Sequence, residues 1–166
     1  MLSDELMYVG KMMPGCPLVT VLVGFPASGK STWAKAYNYS NGDVILSSDA
    51  IRGEIFGSEE EQGNPKLVFD TLKERLIENL KKGNDVVIDA TSINRWERAD
   101  YISIAREYNA IPLAIIFDTP IDECKRRNSI RERKVPDFVY DKMAEKYEEP
   151  STDEGFSAVI LYSDEK

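Results

Sequence analysis

The stretch "VLVGFPASGKST", residues 21–32, constrains the fold of this chain more than any other part of it. Residues 24–31, "GFPASGKS", satisfy the pattern G-x-x-x-x-G-K-[ST], with an apolar strand-like run before it and the helix-compatible "STWAKAY" after it. Glycine backbone angles let successive amide groups converge on phosphate oxygens at the positive end of the following helix. The motif therefore predicts a phosphate-binding loop between a strand and a helix.

The same loop predicts a nucleotide site, with ATP as the bound compound. We expect Lys30 to neutralise the β and γ phosphates and the Ser31 hydroxyl to bind Mg²⁺, which takes few protein ligands. The candidate nucleotide-binding residues of the loop are Gly24, Ala27, Ser28, Gly29, Lys30, Ser31 and Thr32. The alternative is a glycine-rich turn that binds nothing.

Short apolar runs at residues 18–23, 44–46, 86–88 and 113–117 alternate with helix-like segments. This alternation predicts an α/β fold of the P-loop NTPase type, with a mostly parallel sheet and helices on both faces. Apolar residues spaced by three and four predict helices at residues 66–82 and 95–108. The second helix is expected to turn Trp96, Ala99, Ile102 and Ala105 toward the core. The acidic stretch at residues 57–65 is expected to be a mobile loop.

Composition narrows the classes of function. The chain has no histidine, so any general base near neutral pH is expected to be a carboxylate. A formal charge of −8 argues against a broad basic face for long nucleic acid but allows a small pocket for a nucleic-acid end. No apolar run approaches a membrane span and the N-terminus lacks a signal pattern, so we expect a cytoplasmic protein with no membrane partner. Cys16 and Cys124 are expected to be unpaired thiols.

The end of the second predicted strand carries the first candidate acceptor residues, in "ILSSDAIRGEIF". Asp49 could cap the following helix and pair with Arg52 one turn on. Because the carboxyl ends of neighbouring parallel strands share one crevice, Asp49 could instead take a hydroxyl proton and Arg52 could bind a phosphate. The residues alone leave both interpretations open.

Two further stretches carry candidate residues. In "VVIDATSINRWER", Asp89 ends a strand and could position Mg²⁺ waters or touch an acceptor, or it could cap a helix. In "CKRRNSIRERKVP", Arg127 and Arg131 would share one face if the segment is helical. The basic run could be a solvated face, but in an acidic chain we interpret it as an arginine lid over transferring phosphates.

These motifs together resemble the kinase domain of the polynucleotide 5′-hydroxyl kinases, from Val19 to about Leu161. "GFPASGKSTWAK" is similar to that family's nucleotide loop, "SSDAIR" to its D-x-x-R segment, "DATS" to its D-x-T-N, and "RRNSIRERKVP" to its arginine lid. "YEEPSTDEGFSAVI" resembles the end of the animal kinase module. Ser92 stands where the family usually has Asn, and Ser48 stands where the phage enzyme has Arg.

The resemblance implies a role for each matched residue. Asp49 would be the general base for the 5′-hydroxyl, with Arg52 on the acceptor phosphate and Asp89 and Thr91 in the acceptor site. Arg127 and Arg131 would lie over the donor phosphates, so Lys30, Asp49 and Arg131 are the candidate catalytic residues. The expected activity is ATP- and Mg²⁺-dependent phosphoryl transfer to a DNA or RNA 5′-end, without 3′-phosphatase activity.

The expected domain organisation is an N-terminal extension of open role, residues 1–17, followed by one P-loop kinase domain, residues 18–166. Two other functions stay open. The donor apparatus would equally serve a P-loop kinase for a small-molecule hydroxyl, whose acceptor pocket should be closed. A nucleotide-dependent binding or ATPase module would instead want a water-positioning residue and an arginine from a neighbouring subunit.

Overall fold

A computed structural model of the protein describes residues 15–58 and 64–163, without the side chains of residues 39–41. Residues 1–14 of the N-terminal extension and most of the loop expected at 57–65 lie outside this description. One parallel sheet is built within the described ranges by β1 (Leu18–Val23), β2 (Val44–Ser47), β3 (Val86–Asp89), β4 (Ile111–Phe117) and β5 (Ala158–Tyr162). Their order across the sheet is β2-β3-β1-β4-β5, and each neighbouring pair is parallel.

Helices connect the strands and cover both faces of the sheet. The described chain contains α1 (Lys30–Asn41), α2 (Ser48–Phe56), α3 (Pro65–Lys81), α4 (Arg95–Glu107), α5 (Ile121–Ser129) and α6 (Asp137–Lys146), with a 3₁₀ turn at Thr152–Glu154. The α/β fold class predicted from the sequence is confirmed. All the crossovers run between parallel strands, so the carboxyl ends of the strands lie at one edge of the sheet.

Side-chain alternation along the strands divides the core into two layers. Val19, Val21 and Val23 of β1 pack on the face covered by α3 and α4. Leu18 and Leu22 of the same strand pack on the opposite face, against α1. β1, β3 and β4 are buried on both faces and read as continuous apolar runs, and for this reason their positions were visible in the sequence. The partly exposed β5 was not among the predicted apolar runs.

The face of α4 that meets the core differs from the expectation. Trp96 is 84% exposed and Ala99 is also exposed, so the prediction that they face the core is wrong, while Ile102 and Ala105 are buried as expected. Arg98 lies in the interior instead and has no exposed surface. Its guanidinium forms two hydrogen bonds with the Glu154 carboxylate, at 2.8 and 3.0 Å. A buried charge is tolerated when it is paired and hydrogen-bonded. Hydrophobic periodicity could not recognise this arginine as interior.

The described residues contain no helix that is long and apolar enough to cross a membrane. Cys16 and Cys124 are free thiols, as the sequence predicted.

The edge of the sheet opposite the strands' carboxyl ends carries two neighbouring carboxyl groups. Asp43 precedes β2 and Asp85 precedes β3, where Asp85 accepts a hydrogen bond from the Leu18 amide at 2.8 Å. Burial, and then the charge of Asp85, raises the pKa of Asp43 to about 6, although a hydrogen bond from the Tyr37 hydroxyl opposes the shift. Folded Asp43 therefore holds its proton more readily than the unfolded chain does.

We predict that Asp43→Asn stabilises the fold at pH 7. In the parent, the pKa of Asp43 is 3.8 when the chain is unfolded and about 6 when it is folded. The free energy of unfolding should therefore fall as the pH rises between these two values, because ionisation is less favourable in the folded state. The amide carries no charge and can still accept from Tyr37, so the variant should gain roughly 1 kcal/mol at pH 7 after solvent screening. Urea unfolding at pH 4 and pH 7 measures this. Asp153→Asn, at an exposed acid, is the control, and an equal response in both variants would contradict the prediction.

Candidate active site

The loop between β1 and α1 has the backbone that a phosphate site requires. A Cβ on Gly24 would lie 2.7 Å from Ser28 Oγ and 3.1 Å from the Phe117 carbonyl oxygen, so only glycine fits there. Gly29 has φ 105°, in the left-handed region, and precedes the first residue of α1. No side chain of the described residues caps the start of α1. Its first amides are therefore available to bind an anion.

Three hydrogen bonds tie this loop to the rest of the site. The Gly24 amide donates to the Thr91 carbonyl oxygen at 3.1 Å, which joins the loop to the segment after β3. Thr119, after β4, donates from its hydroxyl to the Ser28 carbonyl oxygen at 2.9 Å. The Tyr140 hydroxyl on α6 donates to the Pro26 carbonyl oxygen at 2.8 Å. The loop is thus held from two strand ends and from α6.

Lys30 lies beneath the loop and is only 7% exposed. Its ammonium donates to the carbonyl oxygens of Gly24 and Phe25, at 2.9 and 2.8 Å. Burial lowers the pKa of Lys30 to about 8, although the nearby carboxylates of Asp89 and Asp49 oppose the shift. A desolvated cation at this place is suited to a ligand that brings negative charge.

Asp89 lies against the nucleotide loop. Its Oδ2 accepts a hydrogen bond from the Ser31 hydroxyl at 2.7 Å, which joins the end of β3 to the start of α1. Asn94, whose side chain accepts from the Glu97 amide, caps α4 in its place, so the capping interpretation of Asp89 is wrong. Hydroxyl and carboxylate oxygens are the ligands that Mg²⁺ prefers, and this pair fits that ion. The described residues contain no cluster of three or more metal-binding side chains, which Mg²⁺ beside phosphates does not need.

Asp49 occupies the same edge of the sheet, on the first turn of α2. Ser47 caps this helix by accepting from the Ala50 amide, so Asp49 is not the cap. Arg52 Nη1 donates to Asp49 Oδ1 at 2.7 Å, the pairing that helical spacing suggested. The other carboxylate oxygen, Oδ2, lies 2.6 Å from Nη1 of Arg133. Two guanidinium groups from different parts of the chain therefore hold the two oxygens of this carboxylate.

These residues line one cavity of about 730 Å³, which we call the catalytic cavity. Its charged lining comprises the cations Lys30, Arg52, Arg131, Arg133 and Lys134 and the carboxylates Asp49, Asp89 and Glu132; Ser31 and Thr91 also line it. Cations exceed carboxylates here although the chain as a whole carries a charge of −8. Such a local excess of positive charge favours binding of phosphates.

The basic run forms the end of α5 and the loop that follows it, residues 130–136, which we call the lid loop. Because α5 ends at Ser129, the helix does not reach Arg131, and the condition for a helical face shared by Arg127 and Arg131 is not met. Arg127 donates from Nε to Glu123 Oε1 at 3.0 Å, and a Cβ on Gly29 would lie 3.9 Å from its Nη1. Arg131 instead lines the catalytic cavity. Arg127 therefore lies beside Gly29 of the phosphate loop, whereas Arg131 lies at the catalytic cavity.

Buried Asn128 shapes the lid loop. Its side chain donates to the Val135 carbonyl oxygen at 2.6 Å and accepts from the Val135 amide at 2.9 Å, which closes the loop on itself. Sequence reasoning missed this residue, the role of Arg133 on Asp49, and the loop contacts of Thr119 and Tyr140. Only Arg133 had a visible signal, its place within the basic run.

A parallel sheet with this strand order, a phosphate loop ahead of an uncapped helix, and a basic segment over the same cavity define a P-loop kinase. The chain belongs to the AAA domain family, whose model matches residues 19–150. The resemblance to polynucleotide kinases is confirmed by one of the two relatives and by the solved structure named below.

Two curated relatives and one solved structure illustrate the similarity. An L-seryl-tRNA(Sec) kinase of Methanococcus maripaludis is 29% identical over 81% of this chain and 54% of its own length. A bifunctional polynucleotide phosphatase/kinase of Schizosaccharomyces pombe is 29% identical over 85% of this chain and 32% of its own length. A chain in the Pnkp1/Rnl/Hen1 RNA repair complex is 26% identical, with a TM-score of 0.70, over 79% of this chain and 44% of its own. This chain therefore spans about half or less of these proteins.

We predict that the buried charge of Lys30 lowers the stability of the ligand-free protein. Because the pKa of Lys30 is about 8 in the folded protein and 10.5 in an unfolded chain, the penalty is complete below pH 8 and is relieved as the pH rises between these values. The free energy of unfolding of the parent should therefore rise across that interval relative to Lys30→Met, which has nothing to titrate. Urea unfolding of both proteins at pH 7.5, 9 and 10 measures the difference. If the free energies of unfolding of the two proteins change in parallel with pH, the prediction of a buried ammonium at Lys30 is contradicted.

Proposed function

We propose that this kinase transfers the γ phosphate of ATP to the 5′-hydroxyl of a DNA or RNA end, and that residues 18–166 form the domain that does so. The observation that carries the proposal is the placement of Asp49 in the catalytic cavity with Lys30, where both of its carboxylate oxygens are held by arginines. A carboxylate held in one orientation beside a phosphate loop is suited to accept a hydroxyl proton.

The donor side uses the loop and the lid. Ala27, Gly29 and Thr32 would offer backbone amides to the phosphates and, at Thr32, a hydroxyl. Gly24 and Ser28 would shape the loop around them, since their amides already donate to Thr91 and Phe25. Lys30 would leave the carbonyl oxygens of the loop and pair with the β and γ phosphates, with Arg127 and Arg131 adding charge from the lid side. Ser31 and Asp89 would hold Mg²⁺, which when bound neutralises charge on the transferring phosphate.

The acceptor side uses the ends of β2 and β3. Asp49 would take the proton of the 5′-hydroxyl while Arg52 binds the next phosphate of the strand, since its guanidinium has donors left after pairing with Asp49. Thr91 lies between the two sides, because its carbonyl oxygen accepts from the Gly24 amide and the residue also lines the cavity. Asp89 and Thr91 would then align acceptor and donor, and rate enhancement would come chiefly from positioning and charge stabilisation.

A second acceptor deserves a direct test, because the L-seryl-tRNA(Sec) kinase is matched over a larger share of its length than the phosphatase/kinase is. The deciding experiment offers four acceptors at equal concentration with labelled ATP: a 5′-hydroxyl oligonucleotide, a seryl-tRNA, a nucleoside and a sugar acid. We expect the oligonucleotide to be phosphorylated fastest. Faster transfer to seryl-tRNA or to a small molecule would keep the kinase and reject the proposed acceptor, and ATP hydrolysis without transfer would favour an ATPase module.

We predict that Asp49→Asn lowers kcat by roughly 100-fold while ATP affinity stays close to that of the parent, because an amide cannot accept the proton. Steady-state kinetics and nucleotide titration measure both quantities. Asp153→Asn is the matched control at an exposed acid. Arg133→Ala separates the roles, since it breaks one ion pair and keeps the carboxylate. An equal loss in Arg133→Ala would mean that Asp49 serves only to hold the lid.

We predict that Arg52→Ala raises KM about 10-fold for an acceptor nucleoside that carries a 3′-phosphate, because a charge-assisted contact with that phosphate is lost. The KM for a nucleoside without that phosphate should change little. The measurement is KM for a nucleoside 3′-phosphate and for the corresponding nucleoside, in parent and variant. A similar rise for both acceptors would show that Arg52 acts by holding Asp49 and not by binding phosphate.

A further inference from the structure

A second cavity, of about 840 Å³, lies beside the catalytic cavity between α3, α4 and α6, and we call it the side groove. Phe69, Thr91, Val139 and Met143 line both cavities. The two cavities are therefore neighbours with a common wall, and a ligand longer than the catalytic cavity would pass this wall to reach the side groove.

The side groove presents an aromatic side chain to solvent. Trp96, on the first turn of α4, lines it and is 84% exposed. On the catalytic side of the shared wall, Phe138 is 58% exposed and lines the catalytic cavity. Exposed aromatic side chains in neighbouring cavities can serve as platforms on which unpaired bases stack.

The charges of the side groove also fit a nucleic-acid strand. Four lysines and three carboxylates line the groove. Lys66 pairs with Asp70 within α3, Lys73 on α3 pairs with Asp100 on α4, and Glu97 is the third carboxylate. Lys142 and Lys146, both on α6, line the remaining wall, and Lys142 lies 5.3 Å from the Phe138 ring centroid. Cations beside apolar and aromatic surface are the combination that binds a phosphate backbone with stacked bases.

We propose that the side groove binds the nucleotides that follow the 5′-terminal nucleotide of a single-stranded acceptor, with Trp96 stacking on one of their bases. This inference rests on the proposed function. A small metabolite would be enclosed by the catalytic cavity and would leave the side groove unused. The 5′-hydroxyl would lie at Asp49, the next phosphate near Arg52, and the strand would pass Thr91 toward Trp96.

The test compares a nucleoside 3′-phosphate with a single-stranded tetranucleotide that begins with the same nucleoside. In the parent, the longer acceptor should have a KM lower by about 10-fold or more, which is the range of one base stacked on an aromatic ring. Trp96→Ala should abolish this gain and leave kcat and the KM of the nucleoside 3′-phosphate unchanged. Trp96→Phe should keep most of the gain. Leu161→Ala, at an exposed apolar residue of β5, is the matched control and should keep all of it.

A second measurement does not depend on turnover. The chain has two tryptophans, so in a Trp33→Phe background the fluorescence reports on Trp96 alone. The tetranucleotide should quench it, and the nucleoside 3′-phosphate should not. An unchanged length dependence in Trp96→Ala, or no quenching, overturns the inference and leaves the proposed function intact, with a protein partner as the remaining occupant of the side groove. If the parent phosphorylates no oligonucleotide, the proposed function fails, and absence of quenching would overturn the groove assignment as well.

Discussion

The phosphate loop can work only if its backbone is held against the sheet edge, because its amides and not its side chains must converge on the phosphates. Gly24 makes that approach possible, since any Cβ there would collide with the Ser28 side chain. Hydrogen bonds from Gly24, Thr119 and Tyr140 then fix the loop against the ends of β3 and β4 and against α6. The positions of Lys30, of the start of α1 and of the lid all follow from this attachment.

A parallel sheet brings together residues that lie far apart in the chain. The end of β2 carries Asp49 and the end of β3 carries Asp89, and β3 lies between β2 and β1. Asp89 therefore meets Ser31 at the loop, while Asp49 lies farther out, within reach of the lid. One edge of the sheet thus holds both the proposed donor side and the proposed acceptor side.

The ion pair between Asp49 and Arg133 links the two sides. Arg133 follows α5 in the lid loop, whose shape depends on the two hydrogen bonds of the Asn128 side chain to Val135. The proposed base and the basic lid are therefore not independent groups, and the orientation of the carboxylate depends on the lid position.

The sequence alone determined the fold class, the phosphate loop and the approximate strands and helices, because these depend on local patterns: glycine spacing, apolar runs and helical periodicity. It also brought Asp49, Arg52 and Asp89 forward as candidates, since residues at strand ends share one crevice in a parallel sheet. The tertiary structure decided what depends on packing between distant segments. In the folded protein Arg98 is buried in an ion pair and Trp96 is exposed. The helix α5 ends before Arg131. Asp89 binds the Ser31 hydroxyl, and Arg133 pairs with Asp49. Which face of a helix is buried, and which charges meet, is set by partners that no local pattern contains.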